Sequence, residues 1–167
     1  VVIVGVGTTA MIVADIIMES HNFNLAGLIG TSEEEKVLRS SNVYHDLPFL
    51  GDRGIVGRLN EGDITGFVCA IGDVYIRENA FYECSEAGLI PINAISSKAI
   101  INPAVTLGKG VVISPGVILS HGVKIGDNTI LDAGVVMGVD ASVSSHCYLS
   151  SGVVLSGGCE VQKNVML

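Results

Sequence analysis

The chain has 167 residues, 49% of them hydrophobic, with 21 glycines, four cysteines, no tryptophan and a formal net charge of −8. That length holds one large domain or two small ones around a buried core, and the acidic balance argues against sequence-independent nucleic-acid binding, which needs a basic face for the phosphates. No apolar run approaches the roughly 20 residues of a membrane span and no signal peptide is visible, so the expected protein is cytoplasmic, with neither nucleic acid nor membrane as partner.

The first half alternates strand and helix. VVIVGVG is a short apolar run ending in glycines, and TTAMIVADIIMESH after it sets Ile12, Val13, Ile16 and Ile17 on one helical face. NLAGLIG is a second strand, followed by the acidic, non-periodic stretch TSEEEKVLRSS. GFVCAIG is a third, leading into a helix over DVYIRENAFYECSEAG with Asp73 as its cap and Gly88 as its stop. LIPINAI opens the second half. Repeated βα units predict a small parallel sheet flanked by helices. Gly5, Gly7, Thr8, Thr9 and Ala10 form a G-x-G-x-x-A turn, which suits either a pyrophosphate at a helix amino terminus or tight strand-to-helix packing. Gly30 and Thr31 stand where a dinucleotide site would place an acid, which argues against NAD.

From Ile95 the register changes to six. Positions 95, 101, 107 and on to 167 are all Ile, Leu, Met or Val, and the fifth place of each hexad is Ala, Val, Thr or Cys. Neither the helical period of 3.6 nor the strand period of two produces this. It suits a triangular solenoid in which each hexad supplies a short strand and a corner, and three hexads close a rung about 4.8 Å from the next. An ordinary β-sandwich would not hold a six-residue register this long. KNVML breaks off in mid-hexad and would leave an open edge, so further rungs are expected beyond it. Cys69, Cys84, Cys147 and Cys159 show neither C-x-x-C nor metal spacing, which predicts reduced, buried thiols and no metal site.

These hexads, together with VVIVGVG, LPFLGD, FVCAIGD and the junction INAISSKAIINPAV, resemble the hexapeptide-repeat acyltransferases of the sialic-acid and bacillosamine type. The resemblance implies an α/β Rossmann-like, nucleotide-sugar-binding domain over 1–92 and an all-β left-handed parallel β-helix over 93–167. It further implies acetyl-CoA as cosubstrate, a sugar acceptor acylated at nitrogen or oxygen, and a homotrimer with sites between adjacent coils. In that family the general base is a histidine at the third place of a hexad, followed by an acid. The corresponding residue here is Val139, with Asp140 retained.

His121 lies eighteen residues earlier, one rung away at the same hexad place, and is the candidate base, with Asp140 orienting it. A solvated corner residue is the alternative. His146, at the fourth place of its hexad, is a further catalytic candidate; His21 at the first helix end and His45 in a loop are read as structural or exposed. For the cofactor the resemblance implies Gly134, Gly152 and Gly157, for close backbone approach, and Lys163, for phosphate. For the nucleotide sugar it implies Gly5, Gly7, Thr8, Thr9 and Asp73. The family's usual Gly-His pair is replaced by Thr8 and Thr9, and its acid by Gly30. A second class of function, a scaffold that kept the fold after losing the histidine, fits Val139. A zinc carbonic anhydrase would need a third histidine in the repeats, and only His121 and His146 are there.

Overall fold

A computed structural model describes residues 1–40, 47–59 and 64–167; His45 lies outside the described residues. The chain divides into two compact units, Val1–Ile92 and Asn93–Leu167.

In the first unit β1 (Val2–Val4) leads through α1 (Thr8–Ser20) to β2 (Gly27–Ile29), then α2 (Ser32–Ser40) and β3 (Phe49–Gly51). A 3-10 turn at Arg53–Ile55 and α3 (Val56–Leu59) precede β4 (Gly66–Cys69), α4 (Val74–Glu86) and β5 (Ile90–Pro91). The five strands form a parallel sheet in the order β3-β2-β1-β4-β5. Val13, Ile16 and Ile17 of α1 are buried as expected, with Ile12 half-buried. Phe81 of α4 packs on Phe67 of β4 with ring centroids 5.6 Å apart, a tilted arrangement that aromatic pairs favour.

Two elements depart from the sequence reading. TSEEEKVLRSS forms α2, because Thr31 and Glu34 make a capping box. Thr31 Oγ1 accepts from the Glu34 N–H at 3.2 Å, and a Glu34 carboxylate oxygen accepts from the Thr31 N–H at 2.6 Å. Three glutamates in the first turn also oppose the helix dipole. Ile90–Pro91, read as the start of the second half, instead pairs with β4 as the edge strand of the first sheet.

Thiol chemistry follows burial. Cys69, Cys84 and Cys147 are buried and Cys159 is half-buried, none of the four in a disulfide. Loss of solvation, aided by Glu83, pushes the Cys84 thiol up to about 12, and burial also raises Cys69. Both stay protonated and unreactive near neutrality.

The second unit is built from twelve two-residue strands. They are β6 (Ala94–Ile95), β7 (Ile100–Ile101), β8 (Thr106–Leu107), β9 (Val112–Ile113), β10 (Ile118–Leu119) and β11 (Lys124–Ile125), continuing with β12 (Ile130–Leu131), β13 (Val136–Met137), β14 (Ser142–Val143), β15 (Tyr148–Leu149), β16 (Val154–Leu155) and β17 (Glu160–Val161). Each strand pairs in parallel with the third one on, giving three four-stranded faces: β6-β9-β12-β15, β7-β10-β13-β16 and β8-β11-β14-β17. This is the left-handed parallel β-helix that the hexads predict. Leu119 is in register with Ile101 on one side and Met137 on the other, so each hexad-leading residue sits over the next. Leu119 and Met137, with Ile113, Leu131 and Leu149, are at most 1% exposed and form the core, against which the half-buried Ile101 packs. Positive φ at the corners is taken by glycines and by Asn128, Asp140, His146 and Asn164, residue types that tolerate it better than most.

Candidate functional site

The strand order defines three corners. The first runs from the β6-β9-β12-β15 face to the β7-β10-β13-β16 face, the second from there to the β8-β11-β14-β17 face, and the third closes the rung. His121, Val139, Asp140 and Gly157 all lie on the second corner, on three successive rungs. His121 is exposed and Val139 is 52% exposed. Backbone bonds tie the rungs: Asp140 N–H donates to the His121 carbonyl at 2.9 Å, and Gly158 N–H to the Val139 carbonyl at 2.9 Å. The Asp140 carboxylate lies against the Cα of Gly122, the residue after His121, in the space a side chain at 122 would fill. Gly122 has φ of +72°. The base candidate, the retained acid and the vacated position thus share one exposed edge. A β-carbon at Gly157 would come 3.1 Å from the Val139 carbonyl, so glycine there keeps the edge open above Val139.

Gly134 and Gly152 stack on the first corner, where a β-carbon on Gly134 would first meet the Gly152 backbone, and one on Gly152 would meet nothing within 4 Å. First and second corners are the two edges of the β7-β10-β13-β16 face. Outward from that face point Ile100, 65% exposed, Ile118, Val136 and Val154, 68% exposed. The outward residues of the β8-β11-β14-β17 face, Thr106, Lys124, Ser142 and Glu160, are polar or charged. An apolar strip flanked by His121 on one side and open glycine backbone on the other is the most distinctive surface of the coil.

The third corner corrects two expectations. His146 is 2% exposed; its Nδ1 lies 2.9 Å from Asn128 Nδ2, and its backbone N–H donates to the Asp127 carbonyl. It sits buried at an αL corner with its ring against Asn128, away from the exposed edge that carries His121. Lys163 is on this same corner, across the prism from the apolar face, so it does not join the three glycines in one locus.

In the first unit a cavity of about 520 Å³ opens at the carboxyl ends of the strands. Val4 and Gly5 of the β1 end, Ile29 and Gly30 of the β2 end, Glu34 of α2 and Arg53 of the 3-10 turn are among its walls. Ligand crevices of open α/β sheets form at this place, where the strand order reverses between β1 and its two neighbours. Of the predicted contacts only Gly5 lines it. Gly5 is also fixed by packing, since a β-carbon would fall 2.6 Å from the Ala70 carbonyl. Thr9 is 8% exposed and turned into the protein. Asp73 caps α4, one carboxylate oxygen accepting from the Tyr75 and Ile76 N–H groups at 2.9 Å, and it lies outside the lining of the cavity. Gly7 and Thr8 stay exposed at the start of α1, where Gly7 leaves the first turn without a side-chain cap.

The sequence reading missed Arg53, Glu34 and Arg77. Arg77 is fully buried, and its guanidinium donates to the Ile71 and Gly72 carbonyls at 2.7 and 3.2 Å, which holds the loop after β4 along the crevice. A lone arginine in a helix gives no signal of this in sequence. Among the described residues no three or more His, Cys, Asp and Glu side chains are grouped to hold a metal ion, and no helix is long and apolar enough to cross a membrane.

An α/β unit followed by a coil of hexapeptide repeats is the arrangement that the comparisons with known families also find. Residues 1–84 match the family described as the PglD N-terminal domain, and residues 104–138 match the bacterial transferase hexapeptide of six repeats. The chain belongs to the PglD N-terminal domain family. Among solved structures it superposes on a histidine-to-asparagine mutant of perosamine N-acetyltransferase from Caulobacter crescentus, in complex with CoA and GDP-perosamine. There the TM-score is 0.88 and the identity 26%, over 99% of this chain and 75% of that one. WeeI from Acinetobacter baumannii shares the fold at a TM-score of 0.77 and 15% identity, over 95% of this chain and 73% of that one. So does the acetyltransferase domain of PglB from Neisseria gonorrhoeae, at 0.62 and 14%, over 98% and 91%. No curated protein matches the sequence.

Proposed function

We propose that the chain is an acyltransferase that moves an acetyl group from acetyl-CoA to the amine of a nucleotide-linked sugar, acting as a homotrimer with His121 as general base. The observation that carries this reading is the second corner, where an exposed imidazole, the Asp140 carboxylate and the open backbone above Val139 share one edge of an apolar face. Its similarity to the Caulobacter enzyme, solved with CoA and GDP-perosamine, supports acetyl-CoA as cosubstrate and a sugar as acceptor.

His121 takes the proton from the attacking amine as its nitrogen bonds to the thioester carbon. The carbon–sulfur bond then breaks, and the departing CoA thiolate is protonated in turn. Glycine at 134, 152 and 157 lets an extended chain lie close to backbone groups at both edges of the face. The nucleotide half of the acceptor occupies the crevice of the first unit, its phosphates toward the uncapped amino terminus of α1.

Ile100, Ile118, Val136 and Val154 are the surface that a neighbouring copy covers, which puts His121 at the rim between copies. Ile118→Glu should convert the trimer to monomer in sedimentation velocity and remove activity with it. A trimer that survives the substitution would move the interface to another face.

Val139 at the family's base position favours a second reading, a non-catalytic scaffold. Mixing the full chain with acetyl-CoA and a panel of UDP- and GDP-linked amino sugars, with free thiol as the readout, separates the two. Thiol release with at least one acceptor is expected. No release from any, together with no heat on titrating acetyl-CoA, would leave the scaffold.

A further inference from the structure

In doubly wound sheets the acid that accepts hydrogen bonds from a nucleoside usually ends the second strand. Here that place is Gly30, yet it is not empty of negative charge. A β-carbon on Gly30 would sit 2.5 Å from Val6 Cγ2 and 2.9 Å from Glu34 Oε2, so residue 30 has no room for a side chain of its own. The Glu34 carboxylate has come back from the first turn of α2 to cover it.

Two bonds hold that carboxylate in place. Its Oε2 accepts from the Thr31 N–H at 2.6 Å, while Thr31 Oγ1 accepts from the Glu34 N–H. Glu34 lines the 520 Å³ crevice beside the ends of β1 and β2. Its surroundings there are largely apolar, with Val4, Ile29, Ile71 and Ile76 in the same wall. Arg53, the cation of that wall, lies 3.5 Å from Glu83 in an ion pair. The capping bond occupies one direction of one oxygen, and a carboxylate offers about four acceptor directions in all.

We infer that Glu34 is the acceptor that reads the nucleoside half of the substrate, delivered from helix α2 instead of from the end of β2. This rests on the reading that the crevice takes the nucleotide. The donors it would meet are neighbouring X–H groups, supplied either by the ribose 2′,3′-diol or by the base, as N1–H and the exocyclic amino group of guanine or the single N3–H of uracil. A ligand lacking those donors would leave the remaining acceptor directions of the half-buried carboxylate unmet and bind more weakly.

Glu34→Gln isolates this role, because glutamine serves in a capping box as glutamate does while surrendering charge and acceptor capacity. GDP and UDP, and their 2′,3′-dideoxy forms, would be titrated by calorimetry into the full-length wild-type and variant chains. The variant should bind the better ribonucleotide about 10-fold to 100-fold more weakly. If the diol is the donor, the dideoxy form binds both chains equally; if the base is, the dideoxy form shows the same loss. Equal affinity of wild type and variant for a ribonucleotide that does bind would overturn the role of Glu34 and leave the crevice reading intact. Failure of every nucleotide to bind the wild type would overturn the crevice reading and this inference together.

Discussion

Replacing His121 by alanine should lower turnover about 10²- to 10⁴-fold, the usual worth of a positioned general base, with acetyl-CoA affinity nearly unchanged. His121 is an exposed corner residue, so the substitution should leave the unfolding transition within about 0.5 kcal/mol and the loss can be assigned to chemistry. The same place on the next two rungs offers no other imidazole. Val139, one rung on, has no proton to exchange, and Gly157 beyond it has no side chain. The Asp140 carboxylate rests against Gly122, the residue after His121, which on the proposed reading gives it a positioning part beside the base. The measurement is kcat and KM over a pH series. In the alanine variant the acid limb of the kcat/KM profile should flatten, which a merely structural role for His121 would not produce. Unchanged turnover would remove the histidine from the mechanism.

The coil was legible in the sequence because its periodicity is a direct image of its geometry. A side chain that must point inward at every sixth residue leaves a record that no local propensity can blur, and Leu119 over Met137 is what that record requires. The candidate corner followed from the same arithmetic, since residues eighteen apart share an edge once three hexads close a rung. His146 shows the limit of such reasoning. Position within the eighteen-residue rung says which corner a residue occupies but not how buried its side chain is: Asp140 and His146 share the fourth hexad place and an αL backbone, yet Asp140 is exposed while the His146 ring is buried against Asn128. The first unit was harder for a different reason. Its crevice is lined from four segments far apart in the chain, so Arg53 and Ile71 had no sequence neighbours to announce them. Glu34 did have one: T-x-x-E at Thr31 and Glu34 is a capping box in plain view, obscured by the lack of apolar periodicity in a helix whose first turn is acidic. Asp73 was legible as a cap, and both of the N–H groups it serves fall on one oxygen of its carboxylate.

Leu119→Ala should destabilise the protein by about 2–5 kcal/mol, a drop of roughly 5–15 °C in the melting temperature of a chain this long. The size follows from the architecture. Leu119 is 1% exposed and stacked between Ile101 and Met137, in a coil whose rungs are joined by ladder hydrogen bonds at every face. Shortening one side chain opens a void that the rungs above and below cannot close, because approach along the axis is already set by strand spacing. Lys124→Ala is the matched control. It lies five residues on, on the next strand, outward and exposed, and its loss should stay within about 0.5 kcal/mol. Urea unfolding of both variants decides the matter. A stack in which every sixth residue bears the load gives a large shift for Leu119 and almost none for Lys124, whereas equal shifts would mean that the interior is not held by the residues that repeat.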